Sequence, residues 1–408
     1  MAEKDQPKQT KIASEFALYP EEEPAEVQQK PNKLFIGIPK EKAFQEKRVP
    51  LTPETVSILI NNGHRIIIES RAGEGSHFTD AAYEEAGAEV VANREKVFEA
   101  NIIIQVTPPN MNELDNLHSH QTLISPIHLP TLTGQCVKSL MQKRISALAF
   151  EYIKDDGNTF PFVRSMSEIA GSAVILQAAE LLSGNKDSKG ILFGGISGVP
   201  PVKVLILGAG MVGESATRAA LGLGAEVRLF DNNVYKLMRL QNHISSRLHT
   251  SFIYPELLKE EMRDADVVIG AIHSEFGRSP LVVTEEMING MKKGSIVMDV
   301  SIDQGGCFET SEVTTHDHPT FTYNDIIHYG VPNIPSRVSR TASYAISNIL
   351  SNILIKASNI GGFERLLQFD QATRHGVYIY KGRLTNQYLG EKFGIHYTDM
   401  DLLFASNI

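Results

Sequence analysis

The stretch PVKVLILGAGMVGESATRAALGLGAEVRLFD, residues 201–231, contains the pattern that decides the fold. It opens with an apolar run of strand length and passes at once into the turn Gly208-x-Gly210-x-x-Gly213. An alanine-rich helical pattern follows, and a second apolar run ends on Asp231. This order of strand, glycine turn, helix and strand predicts one complete unit of a parallel sheet.

The glycine turn has the spacing of a dinucleotide site. Gly208 permits the tight turn, Gly210 lets a pyrophosphate approach the backbone, and Gly213 allows close packing of helix on strand. The free amides at the helix start attract phosphates. Asp231, at the end of the second strand, can accept hydrogen bonds from both ribose hydroxyls and would repel a 2′-phosphate. We therefore expect a Rossmann-type domain that binds NAD rather than NADP, the alternative being a glycine turn in another α/β domain.

Length and composition limit the number of domains, the classes of partner and the cellular compartment. A chain of 408 residues suggests two or three domains, and 42% hydrophobic with 21% charged residues is typical of soluble globular proteins. The net charge of −9, without a basic cluster, argues against nucleic acid as a partner. The two cysteines, Cys136 and Cys307, fit a reducing compartment. Because we find neither a membrane-spanning run nor a signal peptide, we expect a cytoplasmic protein with no membrane partner.

The chain divides into segments of different texture. Residues 1–32 contain four prolines and little aliphatic content, which predicts a flexible arm. Alternating strand and helix patterns follow, with Thr52-Pro53-Glu54 predicting a helix whose first turn is capped by a hydroxyl. We expect an α/β protein with two doubly wound parallel-sheet domains, the Rossmann-type NAD domain being inserted in a discontinuous substrate domain. The expected boundaries are 33–161 with 341–408 for the substrate domain and 162–340 for the NAD domain.

Three polar features follow predicted strands, where ligands bind in open α/β sheets. Arg48 could fork onto a substrate carboxylate, although a solvated loop charge is the alternative. His128 follows the apolar run at residues 123–124 and is either catalytic or structural. The predicted strand at residues 295–302 carries an acid near its end, ahead of a glycine pair. This acid either faces a nicotinamide or caps the strand end. The sequence MSEIAG, residues 166–171, predicts the start of a long helix with free first amides.

Several longer motifs carry a family resemblance. They are the GAGMVG turn, FIGIPKE (35–41), RVPLTP (48–53), GEGS (73–76), MSEIAG (166–171), SIDQGGCFE (301–309) and THDHPT (315–320). With these motifs the chain resembles, from residue 33 to about residue 348, the family of alanine dehydrogenases and the NAD-binding subunit of proton-translocating transhydrogenase.

The resemblance implies an activity and residue roles. It implies NAD-dependent, reversible oxidative deamination of L-alanine to pyruvate and ammonia in a homo-oligomer, hexameric in this family. By the same resemblance, Arg48 holds the substrate carboxylate, His128 hydrogen-bonds the group on the reacting carbon, and Asp303 orients or deprotonates water and ammonia. The implied cofactor contacts are Ser167, Gly208, Gly210, Gly213, Asp231, Lys236, Val300, Asp303 and Asn333. We expect no metal, since His316-Asp317-His318 lacks further ligands at suitable spacing.

One position departs from the family pattern. A KVKEP-like motif at a strand end contributes a substrate-binding lysine in alanine dehydrogenases, whereas this chain has QVTPP at residues 105–109, with Thr107 in place of the lysine. A lost charge-assisted hydrogen bond to a carboxylate costs about 1.5 to 3 kcal/mol. Two alternatives therefore stay open: an NAD(H)-binding subunit or regulator of transhydrogenase type, and a dehydrogenase for another small amino acid or 2-oxo acid.

Overall fold

The computed structural model describes residues 32–129, 131–184, 188–244, 247–274 and 277–405. The arm expected at residues 1–32 lies outside these ranges, apart from Asn32. Two mainly parallel sheets, each flanked by helices, make up the described chain, which confirms the expected α/β class with two sheet domains. The exact domain boundaries stay a prediction.

The first sheet has eight strands in the order β15-β14-β6-β5-β4-β1-β2-β3. Its strands are β1 Phe35–Ile38, β2 Arg65–Glu69, β3 Glu89–Val91, β4 Ile102–Ile104, β5 Thr122–Ser125, β6 Ser146–Ala149, β14 Val377–Tyr380 and β15 Arg383–Leu384. β1 to β6 are parallel, whereas β14 and β15 add an antiparallel edge from the chain's far end. The strand order reverses between β1 and β4, which is where a ligand crevice forms in such sheets.

The second sheet has seven strands in the order β12-β13-β11-β10-β7-β8-β9. Its strands are β7 Lys203–Leu207, β8 Glu226–Phe230, β9 His249–Ser251, β10 Val267–Gly270, β11 Ile296–Asp299, β12 Thr320–Tyr323 and β13 Ile326–Tyr329. All neighbours are parallel except β12, which is antiparallel to β13. The order reverses between β7 and β10, so the crevice of this sheet opens beside the glycine turn that follows β7.

Helices cover the faces of both sheets. In chain order they are α1 Pro53–Asn61, α2 Asp80–Glu85, α3 Arg94–Val97, α4 Met111–Asn116, α5 Gly134–Gln142, α6 Pro161–Gly184, α7 Met211–Gly222, α8 Val234–His243, α9 Pro255–Asp264, α10 Glu285–Asn289, α11 Ser339–Asn359, α12 Phe363–Phe369, α13 Gln371–Arg374, α14 Gln387–Phe393 and α15 Met400–Ala405. No helix among the described residues is long and apolar enough to cross a membrane.

The long helices α6 and α11 connect the two halves. Phe162 of α6 is buried in the core of the first sheet and Val174 in the core of the second. Serines of α11 bind the segment after β1: the hydroxyl of Ser343 accepts from the amide of Val49 at 2.9 Å. The hydroxyl of Ser347 accepts from the amide of Thr52 at 3.0 Å. These contacts fix the segment that carries Arg48.

Three local expectations were wrong. The helix expected to start near Met166 begins at Pro161, so the MSEIAG amides lie inside α6 and not at its free end. The strand expected to reach residue 302 ends at Asp299, because the carboxylate of Asp299 binds the amide of Ser301 and starts a short 3-10 helix at Val300–Gln304. Thr52 does precede α1, but its hydroxyl makes no capping hydrogen bond.

Candidate active site

A cavity of about 900 Å³ lies where loops of the two sheets meet. Loops after β1, β4 and β5 contribute from the first sheet, and segments after β11 and β13 contribute from the second. The residues from the sequence-based hypotheses that line it are Arg48, Thr107, His128, Ser167, Val300, Asp303 and Asn333. Val212, which lies within the glycine turn between Gly210 and Gly213, also lines it, so the cavity reaches the expected dinucleotide site.

Arg48 is held by a neighbour that the sequence analysis missed. Its Nε and one terminal nitrogen donate to the two carboxylate oxygens of Glu46 at 2.8 and 2.6 Å. The Glu46 side chain is only 1% exposed. Burial alone would raise its pKa, but the guanidinium of Arg48 holds the pKa of Glu46 below its usual value. The fork of Arg48 is therefore already engaged, and its Nη1, 3.5 Å from the sulfur of Met166, is the donor left for a ligand.

Glu46 also connects Arg48 to the second sheet. The side-chain amide of Asn333 donates to Glu46 at 2.9 Å, and the backbone amide of Asn333 donates to Asp303 at 3.2 Å. Asn333 has φ 53°, a left-handed conformation that asparagine adopts more readily than most residues. One chain of contacts thus runs from Arg48 through Glu46 and Asn333 to Asp303. In the sequence its only sign was the spacing Glu46-x-Arg48.

Two acids lie at or after the end of β11, and each corresponds to one of the two roles considered above, a strand-end cap or a group that faces the ligand. Asp299 is 1% exposed and caps the strand end, since it accepts from the amides of Ser301 and Cys307 and from the hydroxyl of Ser311. Asp303 opens into the cavity instead. The enclosing protein raises the pKa of Asp303, although the amide of Asn333 and the nearby His128 and Arg48 act in the opposite direction.

His128 has an unusual backbone that its neighbours stabilise. Its φ is 43°, a conformation that costs a non-glycine residue of order 1 kcal/mol or more. The Nδ1 of His128 is 2.8 Å from the hydroxyl of Thr131, and no described residue is bonded to its Nε2. The preceding amide, of Ile127, donates to Glu151 at 2.6 Å. We therefore infer that the Glu151 carboxyl supports the turn that presents His128.

Glu151 is a buried acid that sequence reasoning did not identify. It lines the cavity, and burial raises its pKa to about 7. Its Oε2 has no hydrogen-bond partner among the described residues. The sequence FEYIKDDG (150–157) carries no motif that marks Glu151, because its role depends on a contact with the neighbouring strand's loop.

The glycine turn has the shape that a dinucleotide requires. A Cβ at Gly208, whose φ is 110°, would overlap the carbonyl of Ala271, and one at Gly213 would overlap the carbonyl of Gly208. Gly210 differs, since a Cβ there would meet no atom within 4 Å. Gly208 and Gly213 are thus required for close packing, whereas the open space beside Gly210, at the start of α7, leaves room for phosphates.

Asp231 lies beside this turn. Its Oδ2 accepts from the amide of Ala209 at 2.7 Å, and its Oδ1 accepts from the amide of Asn233 at 2.7 Å. Lys236 is exposed on α8. Among the described cavity-lining residues neither Asp231 nor Lys236 occurs, whereas Ser167 does. The structure therefore groups Ser167 with His128 and Asp303, and Asp231 with the glycine turn.

Thr107 contacts a second buried acid. The hydroxyl of Thr107 donates to Glu41, and the amide of Val106 donates to the same carboxyl at 2.5 Å. Burial raises the pKa of Glu41 to about 8, and no described lysine or arginine pairs with it in the way that Arg48 pairs with Glu46. The place of the family lysine is thus occupied by a neutral group that is already bonded to the protein.

The comparisons with known proteins agree with this geometry. The model described as the alanine dehydrogenase/PNT N-terminal domain matches residues 37–170, and that of the C-terminal domain matches residues 173–387. The chain belongs to the alanine dehydrogenase/PNT family. An alanine dehydrogenase/PNT relative from Staphylococcus aureus, alanine dehydrogenase 2, is 36% identical over 90% of this chain and 99% of its own.

Solved structures extend this alanine dehydrogenase/PNT relationship. One of L-alanine dehydrogenase matches with a TM-score of 0.82 and 35% identity, over 88% of this chain and 99% of that chain. A transhydrogenase from Sinorhizobium meliloti matches with a TM-score of 0.74 and 22% identity, over 86% of this chain and 99% of that chain, which shows a shared fold. Within the described ranges, no group of three His, Cys, Asp or Glu side chains is placed to hold a metal.

Proposed function

We propose that the protein catalyses the NAD-dependent, reversible oxidative deamination of L-alanine to pyruvate and ammonia. The observation that supports this most directly is that Arg48, His128 and Asp303, from three separate loops, line one cavity with Val212 of the dinucleotide turn. A substrate in this cavity lies within reach of a cation, an imidazole and a carboxyl. Those are the groups that an amino-acid dehydrogenase needs to hold and deprotonate its substrate.

Arg48, His128 and Asp303 have separate roles in this reaction. NAD held by the glycine turn and Asp231 would supply the acceptor for the hydride that leaves the α-carbon. Nη1 of Arg48 donates to the substrate carboxylate, and Nε2 of His128 bonds the nitrogen or oxygen on the reacting carbon. Asp303 orients the water that hydrolyses the imine and the ammonia that leaves, and the surrounding protein raises its pKa, which favours uptake of a proton.

The same proposal assigns the cofactor contacts. Gly208, Gly210 and Gly213 form the turn under the pyrophosphate, and Asp231 with Lys236 binds the adenosine ribose. The nicotinamide end is assigned to Val300, Asp303 and Asn333, and Ser167, which lines the same cavity, is assigned to the phosphates. The open space at Gly210 and the position of the Asp231 carboxylate, bonded to the amide of Ala209 within the glycine turn, support the fit of NAD.

A second function is favoured by Thr107 alone. Without the family lysine, the chain could serve as an NAD(H)-binding subunit or regulator with no substrate of its own. The test is NAD reduction with millimolar L-alanine and NADH oxidation with pyruvate plus ammonium. We expect turnover in both directions. Intact NADH binding without turnover in either direction would support the second function and refute the first.

The assembly and location are also proposed. By family resemblance the protein forms a homo-oligomer, hexameric in this family, and the small number of cysteines fits the cytoplasm. Light scattering on the purified full chain should give about six times the mass of 45.0 kDa. A monomer mass would contradict the proposed assembly.

A further inference from the structure

The cavity extends beyond the catalytic residues into an apolar compartment, which we call the side lobe. Its walls are the loop after β4 and helices α4 and α5. The lining residues are Pro109, Met111, Leu114, Leu132, Cys136 and Leu140. Leu114 and Leu140 are each 2% exposed and belong to the core between these helices and the first sheet. The side lobe therefore reaches from the active site into the interior of the protein.

The polar atoms of the side lobe are bonded to one another. The hydroxyl of Thr133 donates to the sulfur of Cys136 at 3.2 Å, and Cys136 contacts the sulfur of Met111 at 3.3 Å. No lysine or arginine lies among the described residues of this wall. The six lining residues named above consequently present carbon and sulfur to a ligand, and a charged group against them would lose its hydration without compensation.

Thr107 leads into this compartment. Residues 107–111 all line the cavity, and Thr107 stands where the family has a lysine. A hydroxyl has a single O–H donor, and that of Thr107 is directed to Glu41, so Thr107 does not act as a second cation for a substrate carboxylate. The change from lysine to threonine also removes a long side chain at the entrance to the lobe.

The cavity is large for a three-carbon substrate. Ligand pockets of roughly 300 to 1,000 Å³ hold drug-sized molecules, and this one measures about 900 Å³. If NAD binds as proposed, its nicotinamide end would fill the part of the cavity lined by Val212 and Ala170. The methyl group of alanine would leave the lobe unfilled, so its apolar surface would contribute no binding energy.

We propose that the side lobe binds the side chain of the substrate, and that the preferred substrates are amino acids and 2-oxo acids with an unbranched apolar side chain longer than that of alanine. This inference rests on the proposed dehydrogenase function. Arg48 and His128 anchor the carboxylate and the reacting carbon, and specificity comes from burial of methylene groups in the lobe.

The test is a chain-length series in reductive amination. Initial rates of NADH oxidation are measured with saturating ammonium and pyruvate, 2-oxobutyrate, 2-oxovalerate or 2-oxohexanoate. We expect kcat/KM to rise by roughly fourfold for each added CH2 group. A flat or falling series, with pyruvate turned over, would refute the inference and leave the dehydrogenase function intact. Absence of turnover with every acid, with NADH binding intact, would refute the dehydrogenase function itself.

A variant that fills the side lobe tests whether this compartment causes the preference for longer side chains. Leu114→Phe should lower kcat/KM for 2-oxohexanoate at least tenfold more than that for pyruvate. Leu117→Phe is the matched control, because Leu117 is equally buried at the end of the same helix but is not among the described lining residues. Should Leu114→Phe fail to fold, Cys136→Leu adds bulk from the opposite wall. An unchanged preference in a folded lobe variant, or an equal loss in Leu117→Phe, would contradict the assignment.

Discussion

At the scale of single residues, buried acids decide how this site works. Glu46 has Arg48 as a partner, whereas the hydrogen-bond partners of Glu41 among the described residues are the hydroxyl of Thr107 and one backbone amide. A buried carboxyl without a cation stays protonated to higher pH. For this reason the pKa of Glu46 is lowered while that of Glu41 is raised to about 8.

Thr107→Lys tests the unpaired acid. A folded-state pKa raised from 4.5 to about 8 means that stability falls as pH rises through this interval, because the unfolded chain loses the proton first. A lysine beside Glu41 would pair with it and flatten this dependence. It should also lower the Michaelis constant for pyruvate by roughly tenfold, through a second charge near the carboxylate. Thermal midpoints across the interval and pyruvate kinetics check both points. Parallel pH profiles for variant and wild type would show that position 107 does not face Glu41.

Substitutions of Glu151 test the support of His128. Glu151→Ala removes the acceptor of the Ile127 amide, and an unpaired buried amide costs about 1 to 3 kcal/mol, so we expect kcat to fall roughly tenfold or more. Glu151→Gln keeps an acceptor oxygen but does not titrate. It should retain most of kcat and change the pH profile near pH 7. NADH affinity should stay near wild type in both. Equal kinetics in all three proteins would show that Glu151 does not position His128.

At the scale of elements, the glycine turn separates packing from binding. Gly213→Ala should lower the thermal midpoint, because its Cβ would overlap the carbonyl of Gly208. Gly210→Ala should leave the midpoint near wild type, since its Cβ meets open space, and should weaken NADH binding by roughly tenfold or more. Calorimetry and NADH titration distinguish the two effects. Unweakened NADH binding in Gly210→Ala would mean that the phosphates lie elsewhere.

Elements were predictable to different degrees. The strands β7 and β8, the glycine turn between them and Asp231 follow from local periodicity and turn chemistry, and the structure has them where expected. The start of α6 was not predicted, because Pro161 can begin a helix as readily as it can end a domain. The sequence also marked Arg48, His128 and Asp303 as strand-end residues. It could not show their partners Glu46 and Glu151, whose contacts depend on how loops meet in three dimensions.

At the scale of the whole molecule, the segment after β1 joins the two sheets. Gln45 binds Asp317 and the amide of His316, and the hydroxyl of Ser336 binds the backbone of Gln45 and Lys47. Glu46 adds the contact to Asn333. These bonds hold the loop that carries Arg48 against segments of the second half of the molecule, one of which binds Asp303 through the amide of Asn333.

Glu46→Gln tests this connection. The amide can still bond Arg48 and Asn333, but it no longer neutralises the guanidinium. We expect a change in the Michaelis constants for both pyruvate and NADH, since Glu46 contacts residues assigned to substrate and to cofactor. Gln45→Ala is the control, because it removes two bonds between the two halves, to Asp317 and to the amide of His316, without touching Arg48. If Glu46→Gln alters the Michaelis constant for pyruvate but not that for NADH, the contact between Glu46 and Asn333 does not contribute to cofactor binding.

The most direct test of the dehydrogenase proposal follows the hydride itself. The purified full chain is incubated with NAD and L-alanine deuterated at the α-carbon, and the reduced cofactor is examined by mass spectrometry. The account predicts that the nicotinamide ring gains one deuterium and that pyruvate and ammonium form in equal amounts. Reduced cofactor without deuterium, or no reduction although NADH binds, would contradict it.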